Sequence, residues 1–253
     1  MPPAYKSVPA IEKCFTILNL FSKTDKYLGI SEISKQLTLN KSTVFNIIYT
    51  LVDLKVLDDL GDGKFGFGPH FFILGSTSGK RSRLLQVVHP YLERINKETR
   101  LPAFLGIRSH LQTVLIDKAD WAHGITLSSA IGMQMPVLGG VGIKAMLSLL
   151  HQDEVEKLIG STTLERFTDH SITDKGKYIE VIDKVRREGI AFDREEYVEG
   201  MLAAGVPIKP HNRQIQAAVW IVGLQHQLPE ESLLKEGELL KGIAQEINQR
   251  LGW

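Results

Sequence analysis

The sequence predicts an α+β fold, in which a small helical domain with a β-hairpin precedes a helical connector and a larger domain that mixes strands with helices. The first seventy residues follow the order helix, helix, turn, helix, hairpin. Residues 71–101 keep helical spacing, and residues 102–253 combine strand-like runs with helical segments, which predicts a mixed sheet flanked by helices. We therefore assign three segments: 1–70, 71–101 and 102–253.

Composition narrows the class of protein. The chain has 253 residues, of which 43% are hydrophobic and 23% are charged, and this usage excludes disordered, collagen-like and coiled-coil proteins. The net charge of +1 gives no global attraction to nucleic acid or to membranes. No signal peptide and no run of about eighteen apolar residues are recognisable, so we expect a cytoplasmic protein with no membrane partner.

The first two helices are predicted from apolar spacing. Residues 9–22 have hydrophobic side chains at the i, i+3, i+4, i+7 positions of one helix face. A shorter helix follows with Ser31 as its N-cap, and a tight turn ends it at residues 38–39. We expect one buried face on the first helix, in which the single cysteine is a small hydrophobe: Ile11, Cys14, Phe15, Leu18 and Phe21.

The third helix is predicted over residues 40 to about 54, in the run LTLNKSTVFNIIYTLVDL. Asn40 is the expected N-cap, with its side-chain oxygen accepting an amide hydrogen of the first turn. At 100° per residue, the apolar residues point one way and hydrogen-bonding residues point the other, with Phe45 on the flank. The inward set is Val44, Ile47, Ile48 and Leu51, and the outward set is Ser42, Asn46, Tyr49 and Asp53.

Two short strands follow the third helix. Runs 56–60 and 64–67 flank the sequence Gly-Asp-Gly, which is a strong hairpin signal. A short helix, a tight turn, a third helix and a hairpin together predict a winged helix-turn-helix, a DNA-binding arrangement. The alternative, that the polar residues only cap an exposed helix, does not account for these surroundings.

A helix-turn-helix inserts the N-terminal residues of its last helix into the major groove. Lys41 and its neighbours suit the phosphate backbone, Asn46 suits adenine, and Lys64 of the hairpin suits phosphate or the minor groove. Residues 1–83 hold eleven Lys plus Arg against seven Asp plus Glu, a modest excess that argues for a homodimer on a palindromic operator of double-stranded DNA. The predicted DNA-binding residues are Ser31, Lys41, Ser42, Thr43, Asn46, Tyr49 and Lys64.

The remaining chain is predicted in the same way. Helical spacing from residue 71 to 101 breaks around GSTSGKRS, and Pro90 should kink or restart the helix. Strands are expected at 103–107, 114–118 and 125–130, followed by a glycine-rich turn into a helix and by two more helices. Three further strands, with a turn at 209–213, and an amphipathic helix over 229–251 complete the chain.

No catalytic residues and no metal or cofactor site are predicted. GSTSGKRS has neither the glycine spacing nor the Ser or Thr after Lys of a phosphate-binding loop, and GVGIKA lacks a surrounding βαβ unit. The eight histidines show no metal-ligand spacing, and Glu195 and Glu196 are expected on opposite, solvated faces. The glycine-rich turn at 139–142 offers backbone amides to a carboxylate, or it serves only to turn the chain tightly.

The runs VPAIEKCFTILNLF and LGISEISKQLTLNKSTVFNIIYTLVDLKVLDDLGDGKFGFGPHFFILG resemble the N-terminal domain of the IclR family of bacterial transcription regulators. PVLGGVGIKAMLSLL and GIAFDREEYVEGMLAAGVPI resemble the effector-binding domain of that family, which is GAF-like. The resemblance covers nearly the whole chain. It implies a DNA-binding regulator, repressor or activator, that forms dimers or tetramers and responds to a small organic acid. Family members typically carry Arg where this chain has Asn46.

The resemblance also implies effector-binding positions, and the chain departs from the family at two of them. Ser-x-Ser is replaced by Trp-Ile-Val at 220–222, and Ile143 replaces the glycine before Lys144. Without the two hydroxyls a compact polar acid is disfavoured, and an apolar or aromatic acid is favoured. The implied residues are Gly140, Val141, Gly142, Asp193, Ala203, Trp220 and Val222.

Several alternatives stay open at this point. Trp220 fills the pocket and leaves a regulator with no effector response, or it forms one wall for a ligand. Asp193 binds a ligand hydroxyl, or it caps its own turn. The rival functions are an enzyme tethered to a DNA-binding domain and a DNA-packaging protein. Separately, we expect residues 71–101 to carry the dimer contacts.

Overall fold

A computed structural model describes the protein over residues 6–24, 26–120, 129–209 and 215–252. The chain divides into two compact units, Met1–Arg81 (unit 1) and Ser82–Trp253 (unit 2). The strand predicted at 125–130 and the turn predicted at 209–213 lie largely outside the described residues.

Unit 1 has the predicted order of helices and hairpin. Its helices are α1 Pro9–Phe21, α2 Ile30–Leu37, α3 Lys41–Asp53 and α4 Pro69–Arg81, and its strands are β1 Leu28–Gly29, β2 Leu57–Asp59 and β3 Lys64–Phe67. The three strands form an antiparallel sheet in the order β1-β3-β2. The two-residue strand β1 is an addition to the predicted hairpin of β2 and β3, which we call the wing. By pairing with β3 it joins the segment before α2 to the wing.

The buried face of α1 differs from the prediction. Ile17, Leu18 and Phe21 are buried, whereas Ile11 is 56% exposed and Phe15 is 58% exposed. The reason is that only the C-terminal half of the helix packs on the core of unit 1. Cys14 is half-buried beside that core, and burial raises the pKa of its thiol.

The two predicted helix caps have different outcomes: the position of Asn40 is confirmed without its side-chain hydrogen bond, whereas Ser31 is not a cap. Asn40 occupies the N-cap position of α3, but its side chain makes no cap hydrogen bond, and its carbonyl oxygen accepts the amide of Val44 at 3.0 Å. Ser31 is not the N-cap of α2, because the helix begins one residue earlier, at Ile30. Gly29, held extended by pairing in β1, is the cap, and its amide donates to Glu32 Oε2 at 2.7 Å.

Within the described residues, unit 2 is an antiparallel five-stranded sheet covered by helices. Its helices are α5 Arg83–Thr99, α6 Val141–Leu147, α7 Gln152–Gly160, α8 Lys175–Glu188 and α9 Glu230–Leu251; its strands are β4 Ala103–Ser109, β5 Gln112–Ala119, β6 Ala191–Arg194, β7 Met201–Ile208 and β8 Ala217–Leu224. The mixed α/β composition is confirmed, but the mixed strand direction is wrong. Two neighbouring parallel strands have to be joined by a crossover connection, usually a helix. In unit 2 the helical stretch with α6, α7 and α8 instead joins β5 to β6, which lie at opposite edges of the sheet in the order β5-β4-β8-β7-β6.

The sheet separates two hydrophobic cores. Along β4, Leu105 belongs to the core formed with α5 and α9, and its neighbour Phe104 belongs to the core formed with α6 and α8. Val219 and Trp220 on β8 alternate in the same way, as successive side chains of a strand must. The face toward α6 therefore presents Phe104 and Trp220 to the start of that helix.

The helical connector also differs in detail. The break predicted around GSTSGKRS lies at its last residue: α4 ends at Arg81, α5 begins at Arg83, and Oγ of Ser82 between them accepts the amide of Leu85 at 3.3 Å. Pro90 lies inside α5, which continues through it without restarting. None of the helices within the described ranges is both long and apolar enough to cross a membrane.

Candidate nucleic-acid interface and ligand cavity

Helix α3 presents a hydrogen-bonding face on the surface of unit 1. Val44, Ile48 and Leu51 anchor the helix in the core. The predicted outward residues are exposed, although the ring of Tyr49 also packs against the core residue Phe65. No acidic side chain lies in the first turn of α3, so nothing there repels a phosphate. Of the DNA-binding residues predicted on this helix, Thr43 is half-buried and the others are exposed: Lys41, Ser42, Asn46 and Tyr49.

The predicted contacts outside α3 lie on α2 and on the wing. Ser31 is exposed on α2. Lys64 Nζ donates to Glu32 Oε1 at 2.9 Å and to Oε2 at 2.8 Å, and this bond is the main reason that the pKa of Glu32 is lowered. Lys64 therefore connects the wing to α2. To contact DNA it must exchange Glu32 for a phosphate, and this exchange costs little because an exposed ion pair contributes little net stability.

One cavity in unit 2 brings together all seven positions implied for effector binding. Its empty volume is about 420 Å³ including the mouth, and a neighbouring cavity shares the wall formed by Met135, Tyr197, Met201 and Trp220. The predicted lining residues come from four elements of the fold: Gly140, Val141 and Gly142 at the start of α6, Asp193 on β6, Ala203 on β7, and Trp220 and Val222 on β8.

Trp220 forms a wall of this cavity and leaves space beside it. Its indole stacks on Phe104 with centroids 5.6 Å apart, and it is 6% exposed. A Cβ atom at Gly142 would lie 3.2 Å from Cζ3 of the indole, and one at Gly106 would lie 2.7 Å from its Cη2. These two glycines therefore make room for the tryptophan, and Gly140, with φ of 78°, makes the turn before α6.

The polar groups of the cavity include one that the sequence does not reveal. Thr113 on β5 is 1% exposed, and its Oγ1 has no hydrogen-bond partner within the part of the chain that the structure describes. A threonine in an alternating strand is ordinary, so no sequence pattern marks it. Asp193 Oδ1 accepts the amide of Glu196 at 2.9 Å, which supports the turn-capping alternative for this residue while it lines the cavity.

Behind the turn lies a buried ion pair that contradicts the prediction of two solvated glutamates. Lys144 Nζ lies 2.6 Å from Glu196 Oε1 and donates to the carbonyl of Phe192 at 3.0 Å. The lysine side chain is 2% exposed and the glutamate side chain is 17% exposed. Burial raises the pKa of Glu196, and the neighbouring Lys144 opposes that rise. Glu195, with φ of 62°, breaks the extended alternation on which the prediction depended.

The described residues hold no group of three or more His, Cys, Asp or Glu side chains that could bind a metal ion. His89 is half-exposed, and its Nδ1 lies 2.9 Å from Asp117 Oδ2. The arrangement of unit 2 therefore consists of an apolar cavity with a few buried polar groups, the usual composition of a small-molecule site.

Comparisons with known proteins identify both units. Residues 10–59 match the IclR helix-turn-helix domain, and residues 77–249 match the C-terminal domain of bacterial IclR transcriptional regulators. The regulator KipR of Bacillus subtilis is 26% identical over 243 residues, which cover 96% of this chain and 97% of KipR.

Solved structures share the fold over the whole length. An IclR transcriptional regulator from Alicyclobacillus acidocaldarius has a TM-score of 0.84 at 21% identity, covering 97% of this chain and 99% of that one. An IclR homologue from Microbacterium hydrocarbonoxydans, in complex with 4-hydroxybenzoate, has a TM-score of 0.78 at 20% identity, covering 96% and 98%. The relatives are named as transcription regulators rather than enzymes. Unit 1 is a winged helix-turn-helix, unit 2 is an α/β domain with a cavity, and each matches the corresponding family domain. This chain therefore belongs to the IclR family of DNA-binding transcription regulators.

Proposed function

We propose that this regulator binds a palindromic operator as a homodimer in the cytoplasm, and that a small apolar or aromatic organic acid bound in unit 2 changes its operator affinity. The observation that carries the proposal is the single cavity that gathers all seven implied effector positions. Ligand control then requires that the acid bind two dimer arrangements with different affinities, a coupling typically worth about 1 to 3 kcal/mol.

The exposed face of α3 supports the assignment of DNA contacts. Lys41, Ser42 and Thr43 lie at the N-terminus of the helix, where amide groups and the helix dipole favour phosphate. Asn46 is exposed one turn later and can bind N6 and N7 of adenine together. Ser31 and Tyr49 are also exposed, and Lys64 adds a contact from the wing.

Exposed apolar side chains in unit 1 support a dimer. Phe72, Ile73 and Leu74 on α4 are 80%, 55% and 54% exposed, and they lie in the segment 71–101 that is proposed to carry the dimer contacts. Apolar side chains exposed to this extent on one helix favour a contact with another protein surface. Pairing two copies would bury it and place two recognition helices on one operator.

The lining of the cavity supports the ligand class. Met135, Val198, Met201 and Trp220 make most of it apolar, and none of the lining residues that the structure describes is cationic. A carboxylate would therefore be held by backbone amides at the start of α6, which lack partners within the helix. Asp193 would repel a carboxylate placed beside it, so the other end of the ligand should face that residue.

A thermal-shift panel tests the ligand class. The homologue from Microbacterium binds 4-hydroxybenzoate, which combines a carboxylate, a ring and a hydroxyl, so the panel consists of 4-hydroxybenzoate, benzoate and a two-carbon keto acid. We expect the aromatic acids to raise the Tm of the full chain, because a ligand at one hundred times its Kd adds about 2.7 kcal/mol, and to change operator affinity. A shift with the keto acid alone, or with no acid, would contradict the proposal.

Two variants of α3 test the DNA contacts independently of the ligand. Asn46→Ala should relax sequence preference at one base pair per half-site, because it removes a base contact worth about 1 to 3 kcal/mol. Lys41→Ala should weaken binding to all duplexes alike and reduce the salt slope by about one. Both variants should keep the wild-type Tm shift with the effector, which separates DNA contacts from the cavity.

A further inference from the structure

Helix α3 exposes two aromatic side chains within a surface whose other exposed residues are polar or charged. Phe45 is 49% exposed and Tyr49 is 38% exposed, and Phe45 directly precedes Asn46 in the sequence. An exposed phenyl ring forgoes the free energy gained by removing its apolar surface from water. The ring of Phe45 thus offers apolar contact area at the N-terminal half of the proposed recognition helix.

Phe45 is held in place by a series of rings that begins in the core of unit 1. Phe65 on β3 is fully buried, and Tyr49 packs edge-on against it with ring centroids 5.7 Å apart and an interplanar angle of 80°. The ring of Phe45 lies 4.5 Å from the ring of Tyr49. A side chain already ordered by packing loses little further entropy when it binds a partner, so the ring is prepared for contact.

The charges around Phe45 favour a duplex as that partner. Lys41 begins α3, its first turn contains no acid, and Asp53 at its last residue is its only acidic side chain. Hydrogen-bonding side chains lie next to the ring along the helix, at Ser42 and Asn46. A purely apolar protein partner would leave these polar groups without hydrogen bonds, whereas base edges and phosphates satisfy them.

We propose that Phe45 recognises thymine in the operator by contacting its C5 methyl group. This methyl is the apolar group that unmodified base pairs present in the major groove, and phenylalanine is among the side chains that contact it. Asn46 suits adenine, so the two residues together select A·T pairs within each half-site. The inference rests on the proposed insertion of α3 into the major groove, and it adds a specificity-determining residue to that site.

The test removes single methyl groups from the DNA. A duplex selected from a random pool by the wild-type full-length protein is resynthesised with deoxyuridine in place of each thymine in turn, a change that deletes only the C5 methyl. At one or two positions per half-site we expect about four-fold weaker binding by the wild-type protein, the ratio that corresponds to about 0.8 kcal/mol for one buried methyl-sized group. Phe45→Ala should bind thymine and deoxyuridine duplexes equally.

Phe15→Ala is the matched control, because Phe15 is 58% exposed on α1, outside both the recognition helix and the proposed dimer contacts. It should keep the wild-type ratio between thymine and deoxyuridine duplexes. The inference is overturned if Phe45→Ala keeps that ratio, or if the wild-type protein is insensitive to every thymine methyl.

Lys41→Ala separates this inference from the proposed function. If Lys41→Ala weakens binding to all duplexes while Phe45→Ala keeps the wild-type ratio, α3 contacts DNA and only the role of Phe45 is wrong. If neither variant alters binding to any duplex, the insertion of α3 into the groove is wrong as well, and the assignment of Phe45 is overturned with it.

Discussion

The two units place their functional polar side chains in opposite environments. In unit 1, Ser42 and Asn46 are exposed and belong to one helix. In unit 2, Thr113, Asp193 and Lys144 are buried and come from three elements, β5, β6 and α6. The proposed DNA surface therefore comes from one short segment, whereas the cavity combines residues of β5, β6, β7, β8 and the start of α6. Substitutions in the first should alter binding with little effect on stability, and substitutions in the second should alter stability first.

The largest difference between the units should come from a lysine. Lys144→Met leaves Glu196 buried without its partner, which typically costs about 3 to 5 kcal/mol. Lys41→Met removes an exposed lysine from α3 and should change stability by less than about 0.5 kcal/mol. Urea unfolding of the full chain, followed separately for each unit, measures both.

The double variant Lys144→Met with Glu196→Gln distinguishes loss of the pair from loss of the lysine side chain. It removes both charges, so it should recover part of the stability lost in Lys144→Met. If Lys144→Met is as mild as Lys41→Met, the ion pair is solvated in solution and the contrast between the units is wrong at this position.

The next prediction compares two glycines within helices. Gly75→Ala in α4 meets no atom within 4 Å, so it should stabilise unit 1 by about 0.5 to 1 kcal/mol through helix propensity. Gly142→Ala in α6 places Cβ 3.2 Å from Cζ3 of Trp220, and stacking on Phe104 hinders the indole from retreating. Overpacking of about 1 to 3 kcal/mol should then outweigh the helical gain. Thermal unfolding of both variants checks the opposite signs.

The two units also differ in how much of their structure could be predicted from the sequence. The exposed face of α3 and the hairpin depend on side chains within a few residues of one another, so periodicity and the Asp-Gly turn were sufficient for both. The pairing of Lys144 with Glu196 was beyond prediction, because it depends on the left-handed backbone of Glu195 and on two elements that are distant in the sequence.

The direction of the strands in unit 2 illustrates the same limit. Strand-like and helical runs were recognisable, but the choice between a mixed and an antiparallel sheet depends on which strands become neighbours. That choice is made by tertiary packing rather than by local pattern. The family resemblance located residues that line the cavity. Thr113 lies on a regular strand, and it became visible only when its Oγ1 was found to have no hydrogen-bond partner among the described residues.

Thr113→Val tests whether the cavity really holds an unpaired hydroxyl. Valine has nearly the same shape and removes a buried group whose lack of a partner costs about 1 to 3 kcal/mol, so the ligand-free protein should become more stable by about 1 kcal/mol. Thr43→Val, the counterpart on α3, should leave stability within about 0.5 kcal/mol and weaken DNA binding. A destabilised Thr113→Val protein would mean that the hydroxyl is already satisfied, by water or by a rearranged neighbour.

The smallest effect concerns a buried tyrosine and its response to pH. Tyr178 is 3% exposed and donates to the carbonyl of Leu138 at 3.0 Å, just before the glycine-rich turn. Burial, followed by the charges of Glu196 and Asp193, raises the pKa of its hydroxyl well above 10.0. Tyr178→Phe removes one hydrogen bond, so it should lower stability by about 1 kcal/mol at neutral pH.

The sign of the pH dependence follows from that raised pKa. Because the folded state keeps the proton, the contribution of Tyr178 is fully present below the unfolded value near pH 10 and is lost as the pH rises toward the folded pKa, by up to about 1.4 kcal/mol per pH unit. Tyr178→Phe has no such proton, so the stability gap between it and the wild-type protein should narrow above pH 10. Tyr49→Phe on the exposed face of α3 removes no buried hydroxyl and should follow the wild-type curve. Urea unfolding between pH 7 and 11 measures the stability of all three proteins. If the stability difference between the wild-type protein and Tyr178→Phe stays constant over this range, the Tyr178 hydroxyl is hydrated and does not belong to the buried polar groups of unit 2.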